Sequence, residues 1–280
     1  MLQEADLDVG PGGWRPAVIA HRGSSATRPE HTWGAFQQAI DDGADAIECD
    51  VRMTLDGHLV CVHDRAVDRA SDGRGLVGRH TLAQLRALDW SRAGSASPTQ
   101  GVPMAGDADR ALVTLAELIE LVRAAPRSVG LVVETKHPTR DGARVDAEVA
   151  RVLTAGGLGG AAGPRWGGSV APATVLSFWP ASLRRLAIQL PQVPRGQVIA
   201  AAAQGGVRRP LAAGATIAAL SLSLVRRRPE LVSLHHARGH LVYVWTVNEP
   251  DDLQWCRALR VDAVITDGPA TALAGFDGGG

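Results

Sequence analysis

Apolar and polar positions follow two rhythms along this chain. Short, nearly continuous apolar runs at 17–21, 46–50, 129–134, 174–178, 196–200, 216–222, 241–247 and 261–266 read as buried strands. Between most of them, apolar positions recur every three to four residues. Those stretches, at 32–42, 82–88, 115–124, 144–153, 180–190, 229–237 and 250–259, predict helices with one buried face. Gly43, Gly156 and Gly239 follow helical patterns as C-cap candidates. Eight strands alternating with helices predict an α/β fold, a (β/α)8 TIM barrel. The alternative is an open doubly wound sheet, but no G-x-G-x-x-G or Walker pattern supports it.

The rhythm breaks once. The stretch between the second and third strand patterns is about twice the length of a usual crossover. It opens with a hairpin signal in which Asp56-Gly57 predicts a type I′ turn. The Gly-, Ser- and Pro-rich tract 91–109 predicts an irregular loop, as does the Gly-rich tract 156–168. The expected organisation is a flexible tail over 1–15, one domain over 16–273 with a small insertion at about 51–110 on the barrel's catalytic face, and a frayed end over 274–280.

Composition narrows the function classes. The chain has 280 residues, 45% of them hydrophobic, enough for a sizeable core. Its 29 basic and 29 acidic residues cancel, which argues against a nucleic-acid partner or a polybasic membrane contact. No apolar run approaches the ~20 residues of a bilayer span, so no stable membrane anchor is expected. The acidic, Gly-rich N-terminus lacks the pattern of a secretory leader, so none is expected. Cys49, Cys61 and Cys256 lack metal-ligand spacing, and their odd number suits a reduced compartment. The predicted location is cytoplasmic. Of the basic residues, 28 are Arg and one, Lys136, is Lys.

Candidate chemistry clusters at strand ends. Period-two alternation puts Glu48 and Asp50 on one face of the second strand and Cys49 on the other. Glu134 and Lys136 share a face at the end of the third, where barrel active sites form. Carboxylates on buried strands need partners. Either arginines pair with them, or they converge on a divalent cation, for which oxygen ligands favour Mg2+ or Ca2+. His21-Arg22 closes the first strand. A histidine there suits general acid–base work, and an arginine suits bidentate phosphate binding. His63-Asp64 ends the hairpin that turns back toward His21. Lys136 offers a compact charge for a phosphoryl oxygen. Trp245 either walls the pocket or packs in the core, and Phe178-Trp179 has the same two readings. His137 lines the pocket or is solvated. His235-His236 is expected to face solvent on a helix, and Arg226-Arg227-Arg228 to be a solvated helix entry.

Taken in order, His21-Arg22-Gly23, Pro29-Glu30-His31-Thr32, Glu48-Cys49-Asp50-Val51, Thr54-Leu55-Asp56-Gly57, Val62-His63-Asp64, Glu134-Thr135-Lys136, Ser177-Phe178, Trp245-Thr246-Val247-Asn248 and Ile265-Thr266-Asp267-Gly268-Pro269 resemble the glycerophosphodiester phosphodiesterase family. The resemblance runs from about residue 17 to residue 272. It implies a TIM barrel with a small insertion after the second strand. It also implies that Glu48, Asp50 and Glu134 hold one Mg2+ or Ca2+, that His21 and His63 are the acid–base pair, and that Arg22 and Lys136 bind phosphate. The implied reaction takes a small-molecule glycerophosphodiester to sn-glycerol 3-phosphate and an alcohol. The attacking group is either the substrate's own glycerol hydroxyl or water.

Two departures stand out. His31 occupies a position where the family commonly has Asn; placed at a helix start, it is expected to cap poorly. Trp179 follows Ser177-Phe178 where a polar residue is frequent. Glu30 is expected to pair with Arg22 rather than join a metal. Two other functions remain open: lysophospholipase D-type hydrolysis, with Leu76, Leu82, Leu85 and Trp90 lining an apolar groove, and a non-catalytic barrel that binds glycerophosphodiesters.

Overall fold

Eight parallel strands curl until the first hydrogen-bonds to the last. The computed structural model describes residues 14–92, 106–136, 141–160, 172–201 and 210–277. The predicted tail before residue 14, most of the 91–109 loop, the 156–168 loop beyond residue 160, His137 and the three C-terminal glycines lie outside the described residues. Among the described residues the strands are β1 (Ala17–His21), β2 (Ala46–Met53), β3 (Leu59–Cys61), β4 (Gly130–Thr135), β5 (Ala173–Ser177), β6 (Arg195–Ile199), β7 (Ile217–Ser221), β8 (Leu241–Trp245) and β9 (Ala263–Thr266). The barrel runs β1-β2-β4-β5-β6-β7-β8-β9 and closes through β1–β9; β3 adds an antiparallel edge to β2. The helices are α1 (Trp33–Asp41), α2 (Leu82–Arg86), α3 (Leu115–Ala124), α4 (Gly142–Ala155), α5 (Pro180–Gln189), α6 (Leu222–Arg227), α7 (Glu230–His236), α8 (Pro250–Ala258) and α9 (Pro269–Asp277). The architecture is the predicted (β/α)8 barrel. None of these helices is long and apolar enough to cross a membrane.

Period two sorts each strand between two cores. Ile19, Val132, Leu176, Val198, Ala219 and Tyr243 fill the barrel interior. Their sequence neighbours Val18, Val133, Val175, Ala218 and Val242 point outward and pack under the helices. Side chains buried on both faces explain why the strands read as unbroken apolar runs. The inward register has a consequence for function. Continued to the C-terminal ends of the strands, it reaches His21, Glu48, Asp50, Glu134, Lys136, Phe178, Trp245 and Asp267.

Caps set the helix starts. Thr32 accepts a hydrogen bond from the Ala35 N–H at 3.2 Å, so the N-cap of α1 is Thr32 and not the preceding His31. Thr114 and Glu117 form a capping box at α3. Other expectations also shift. Asp56 does not have positive φ, whereas Gly57 does (φ +90°), and Gly57 N–H bonds Thr54 O while Thr54 N–H bonds His58 O. The hairpin therefore uses a type I turn plus a left-handed glycine rather than type I′. Gly156 is the C-cap of α4 as predicted, and the left-handed residue Gly157 (φ +77°) follows it. Helices α6 and α9 were not expected. The strand pattern 216–222 runs directly into α6, so Arg226-Arg227 end a helix rather than enter one.

Beyond β3, the insertion folds over its own small core of Val60, Val62, Val67, Val77, Leu85, Trp90 and Leu112. Because β2 extends past Asp50 into the β2–β3 hairpin, this core sits at the C-terminal end of the barrel.

Candidate active site

The predicted carboxylates converge. One oxygen from each of Glu48, Asp50 and Glu134 lies within 4.8 Å of the others, and all three residues are buried. Sheet register produces this meeting: Asp50 pairs across the sheet with Glu134, and Glu48 with His21. Lys136 Nζ lies 2.8 Å from Asp50 Oδ1 and 2.5 Å from Glu134 Oε1. Arg22 Nε lies 3.1 Å from Asp50 Oδ2, and the Arg22 backbone N–H donates to Glu48 Oε2 at 3.1 Å. Arg22 and Lys136, expected to bind phosphate, thus lie against the carboxylates in this structure.

The turn after β1 explains the His-Arg-Gly run. Arg22 and Gly23 both adopt positive φ, +59° and +83°, folding the chain back over the barrel mouth. A Cβ at Gly23 would lie 2.6 Å from the Ala35 backbone, so only glycine fits. His31 follows with φ +63° and a buried ring. Its Nε2 accepts the Asp50 backbone N–H at 3.0 Å. His31 is therefore a tether for the carboxylate-bearing strand β2, not a poor helix cap. Burial is the largest influence on its pKa, which is pushed down to about 3, so the ring stays neutral and can accept that bond.

Both predicted acid–base histidines are oriented by carboxylates. His21 Nδ1 lies 2.6 Å from Asp267 Oδ1, and His63 Nδ1 lies 2.7 Å from Asp64 Oδ1. Each pairing leaves Nε2 as the available ring atom. Asp267 is itself held by Ser25 Oγ at 3.0 Å and Asn248 Nδ2 at 2.7 Å. Asp64 is held by Arg69 Nε at 2.6 Å, and Arg52 donates twice to the His63 carbonyl. Arg69 also reaches Glu30 Oε1 at 2.6 Å, while Glu30 Oε2 accepts from Arg22 at 3.1 Å. Glu30 pairs with Arg22 as expected. The chain Arg22–Glu30–Arg69–Asp64–His63 ties the insertion to the barrel.

Asp64, Asp267 and Asn248 stand within the quoted motifs without an expected role, and Arg52 and Arg69 stand outside them. Their roles depend on contacts such as His21–Asp267, which are 246 residues apart in the chain.

The charge balance is uneven. Burial, then Asp50 and Glu134, push the Glu48 carboxyl well above its ordinary range. Burial and Asp50 raise Glu134 to about 7, although Lys136 opposes them. For Asp50 burial also acts upward, but Lys136, His31 and Arg22 prevail and hold it below the usual carboxylate range. Asp50 Oδ2 and Glu134 Oε1 are buried and accept no well-aligned hydrogen bond. Among the described residues, three buried carboxylates share two cationic contacts, Arg22 and Lys136, and the net negative charge left over fits a hard divalent cation. His63 lies below its ordinary value, through burial first and then Lys136 and Arg22.

Trp245 stands across the mouth. Its indole Nε1 donates to Ala219 O at 3.0 Å, and its ring meets Phe178 edge-on at 5.8 Å. Lys136 Nζ lies 6.0 Å from the Phe178 ring centre, which links the two sides. Trp179 turns outward and is 45% exposed, so the predicted Phe178-Trp179 pair divides its roles.

The glycerophosphoryl diester phosphodiesterase family model matches residues 21–271. A Mycobacterium tuberculosis relative, named probable glycerophosphodiester phosphodiesterase 1, is 40% identical over 267 residues, covering 94% of this chain and 93% of its own. A Caldanaerobacter subterraneus glycerophosphodiester phosphodiesterase is 30% identical over 258 residues, covering 91% and 96%. Among solved structures, an Oleispira antarctica phosphodiesterase in complex with the product sn-glycerol-3-phosphate superposes with a TM-score of 0.77 at 27% identity, covering 94% of this chain and 97% of its own. The chain belongs to the glycerophosphoryl diester phosphodiesterase family and is a phosphoric diester hydrolase.

Proposed function

We propose that this enzyme hydrolyses glycerophosphodiesters to sn-glycerol 3-phosphate and an alcohol, with His21 and His63 as its acid–base pair. One observation carries the reading: three buried carboxylates converge beside two histidines, each pinned at Nδ1 by an aspartate. Glu48, Asp50 and Glu134 would hold one Mg2+ or Ca2+, which when bound would neutralise the carboxylates and polarise a phosphoryl oxygen. Arg22 and Lys136 bind the phosphate, and Trp245 walls the substrate.

His63 lies below its ordinary pKa, so its Nε2 is free at neutral pH to take the proton of the attacking hydroxyl. His21, in the more enclosed pair with Asp267, gives a proton to the leaving alkoxide. A buried, donor-rich setting for Asp267 supports this division, because a carboxylate held by Ser25 and Asn248 stays ionised opposite the ring. Leu85 and Trp90, two side chains of the lysophospholipid alternative, are packed in the insertion's core, which favours the water-soluble diester.

Purified enzyme with glycerophosphocholine and Mg2+ or Ca2+ should release sn-glycerol 3-phosphate, and EDTA should abolish that release. Full turnover after exhaustive chelation would remove the cation from the proposal. Binding of the diester without any product would replace hydrolysis by simple binding.

A further inference from the structure

The arginines at the end of α6 do more than sit in solvent. A cavity of about 560 Å³ opens beside Trp245, lined among others by Ser221, Ser223, Arg226, Arg227 and Thr246. Its volume is within the usual range of small-molecule sites. Ser221 and Trp245 are register partners on β7 and β8, so both stand at the same level of the barrel mouth. From Trp245 the wall continues through Phe178 to Lys136, on the phosphate side. A diester whose phosphate lies by Arg22 and Lys136 therefore has a second compartment across the mouth for one of its two alcohols.

The lining of that compartment has a sign. Arg226 is gripped by both oxygens of Asp252, at 2.6 Å each, which fixes its guanidinium and offsets its charge. Arg227 is exposed and makes no ion pair among the described residues. Among the described residues none of the lining side chains is acidic. The exposed Ser223 hydroxyl, 3.2 Å from that of the α6 cap Ser221, adds hydrogen-bonding capacity. Trp245 alone would favour a quaternary ammonium by cation–π attraction. Its indole is engaged edge-on with Phe178, however, and a guanidinium without a counter-ion in the same space repels a cation.

We propose that this cavity is the subsite for the leaving alcohol and that Arg227, supported by Arg226, selects alcohols bearing an anionic group, a carboxylate or a phosphate. The proposal rests on the glycerophosphodiester reading above. Arg227 is the specificity-determining residue, and the guanidinium engages the anion through charge-assisted hydrogen bonds.

The test measures kcat/KM for the full-length enzyme with saturating divalent cation on four substrates. These are glycerophosphoglycolate (a carboxylate), bis(glycerophospho)glycerol (a second phosphodiester), glycerophosphoglycerol (neutral) and glycerophosphocholine (a cation). Wild type should prefer at least one anionic substrate over glycerophosphocholine by about tenfold, the other anionic arm showing which anion is read. Arg227→Glu should lower that ratio at least tenfold, both by weakening the anionic substrate and by improving the choline diester. Arg227→Lys should retain part of the preference, since charge is kept but the fork is lost. Arg227 is exposed, so both variants should melt with wild type, which thermal unfolding checks. A choline preference in wild type, or a ratio unmoved by Arg227→Glu, overturns the subsite while leaving the hydrolase reading intact. No glycerol 3-phosphate from any of the four overturns both.

Discussion

The two ends of the barrel use the same side chains to opposite purpose. At the N-terminal end, Asp45 precedes β2 and grips the Val18 N–H of β1 at 2.7 Å, while Arg15 closes on it at 2.6 Å. Asp262 precedes β9 and grips the Val242 N–H of β8 at 2.7 Å, while His236 closes on it at 2.8 Å. In both cases a strand-leading aspartate in an Asp-Ala pair ties down the neighbouring strand and is held in turn by a basic side chain. At the C-terminal end, Glu48, Asp50 and Glu134 point at one another, and two of them are driven toward protonation. A carboxylate–histidine pair alone thus distinguishes nothing, for both ends have one. Convergence of buried like charges without enough hydrogen bonds is what marks the functional end.

The largest expected effect sharpens that contrast. Glu48→Gln should lower kcat/KM by ~1,000-fold or more, as loss of a metal ligand or transition-state electrostatics does. Without divalent cation the same variant should melt no lower than wild type, because it removes a charge that Asp50 and Glu134 repel. Wild type should gain stability with added Mg2+ or Ca2+, by ~2.7 kcal/mol at a hundredfold excess over Kd. That gain should be much reduced in the variant. Differential scanning calorimetry with and without cation checks both. A chelated variant that melts well below wild type would place Glu48 among structural carboxylates like Asp45.

Next in size are the histidines. His21→Ala and His63→Ala should each cost ~100- to 10,000-fold in kcat. Asp267→Asn keeps the shape but offers His21 Nδ1 a weaker partner. It should cost ~10- to 100-fold in kcat with little change in KM, and steady-state kinetics separates the two. Equal losses in KM and kcat would instead point to a collapsed pocket.

How much of this the sequence revealed follows the range of the interactions. The eight barrel strands were legible because burial on both faces leaves a local signature of unbroken apolar residues. Glu48, Asp50, Glu134 and Lys136 were legible because period two places each pair on one face of a strand. Helix α6 was hidden because Leu222–Arg227 continues the apolar strand before it, and only the Ser221 cap, accepting from Leu224 N–H, marks its start. His31 was misread as a helix position because its role is set by Asp50, 19 residues away in the chain. Arg69 gave no signal. Its two carboxylate partners, Glu30 and Asp64, meet only when the insertion folds back on the barrel.

A smaller effect tests the lower end. Asp262→Ala should leave the Val242 N–H and His236 without their partner, costing ~1–3 kcal/mol of stability. For a chain of this length that lowers Tm by roughly 2–4 °C per kcal/mol. kcat/KM should stay within about twofold of wild type, since nothing within reach of the substrate moves. Thermal unfolding and a product assay on one preparation decide this. A tenfold loss of activity without a Tm change would mean that the two ends are coupled.

The least effect is a slope with pH, and it too compares the ends. His235 on α7 is fully buried at the lower end, contrary to its expected place in solvent. Burial, then His240 and Arg238, push its pKa down to about 4. The unfolded chain titrates near 6.5, so between about pH 6.5 and 4 it binds a proton that the folded protein refuses. Stability at that site is therefore complete above about pH 6.5 and declines as pH falls toward 4. His31, neutral at the upper end, adds a decline of the same sign. His235→Phe keeps an aromatic ring in the same apolar place but cannot titrate. Urea unfolding at pH 7 and pH 5 should give a smaller stability difference for this variant than for wild type. His240 beside it, also pushed down by burial, and the upper end, where Glu134 at about 7 acts with the opposite sign, make up the remaining slope. An unchanged difference would mean that His235 is protonated in the folded state and shares its proton with His240, whose Nδ1 lies 3.2 Å from its own.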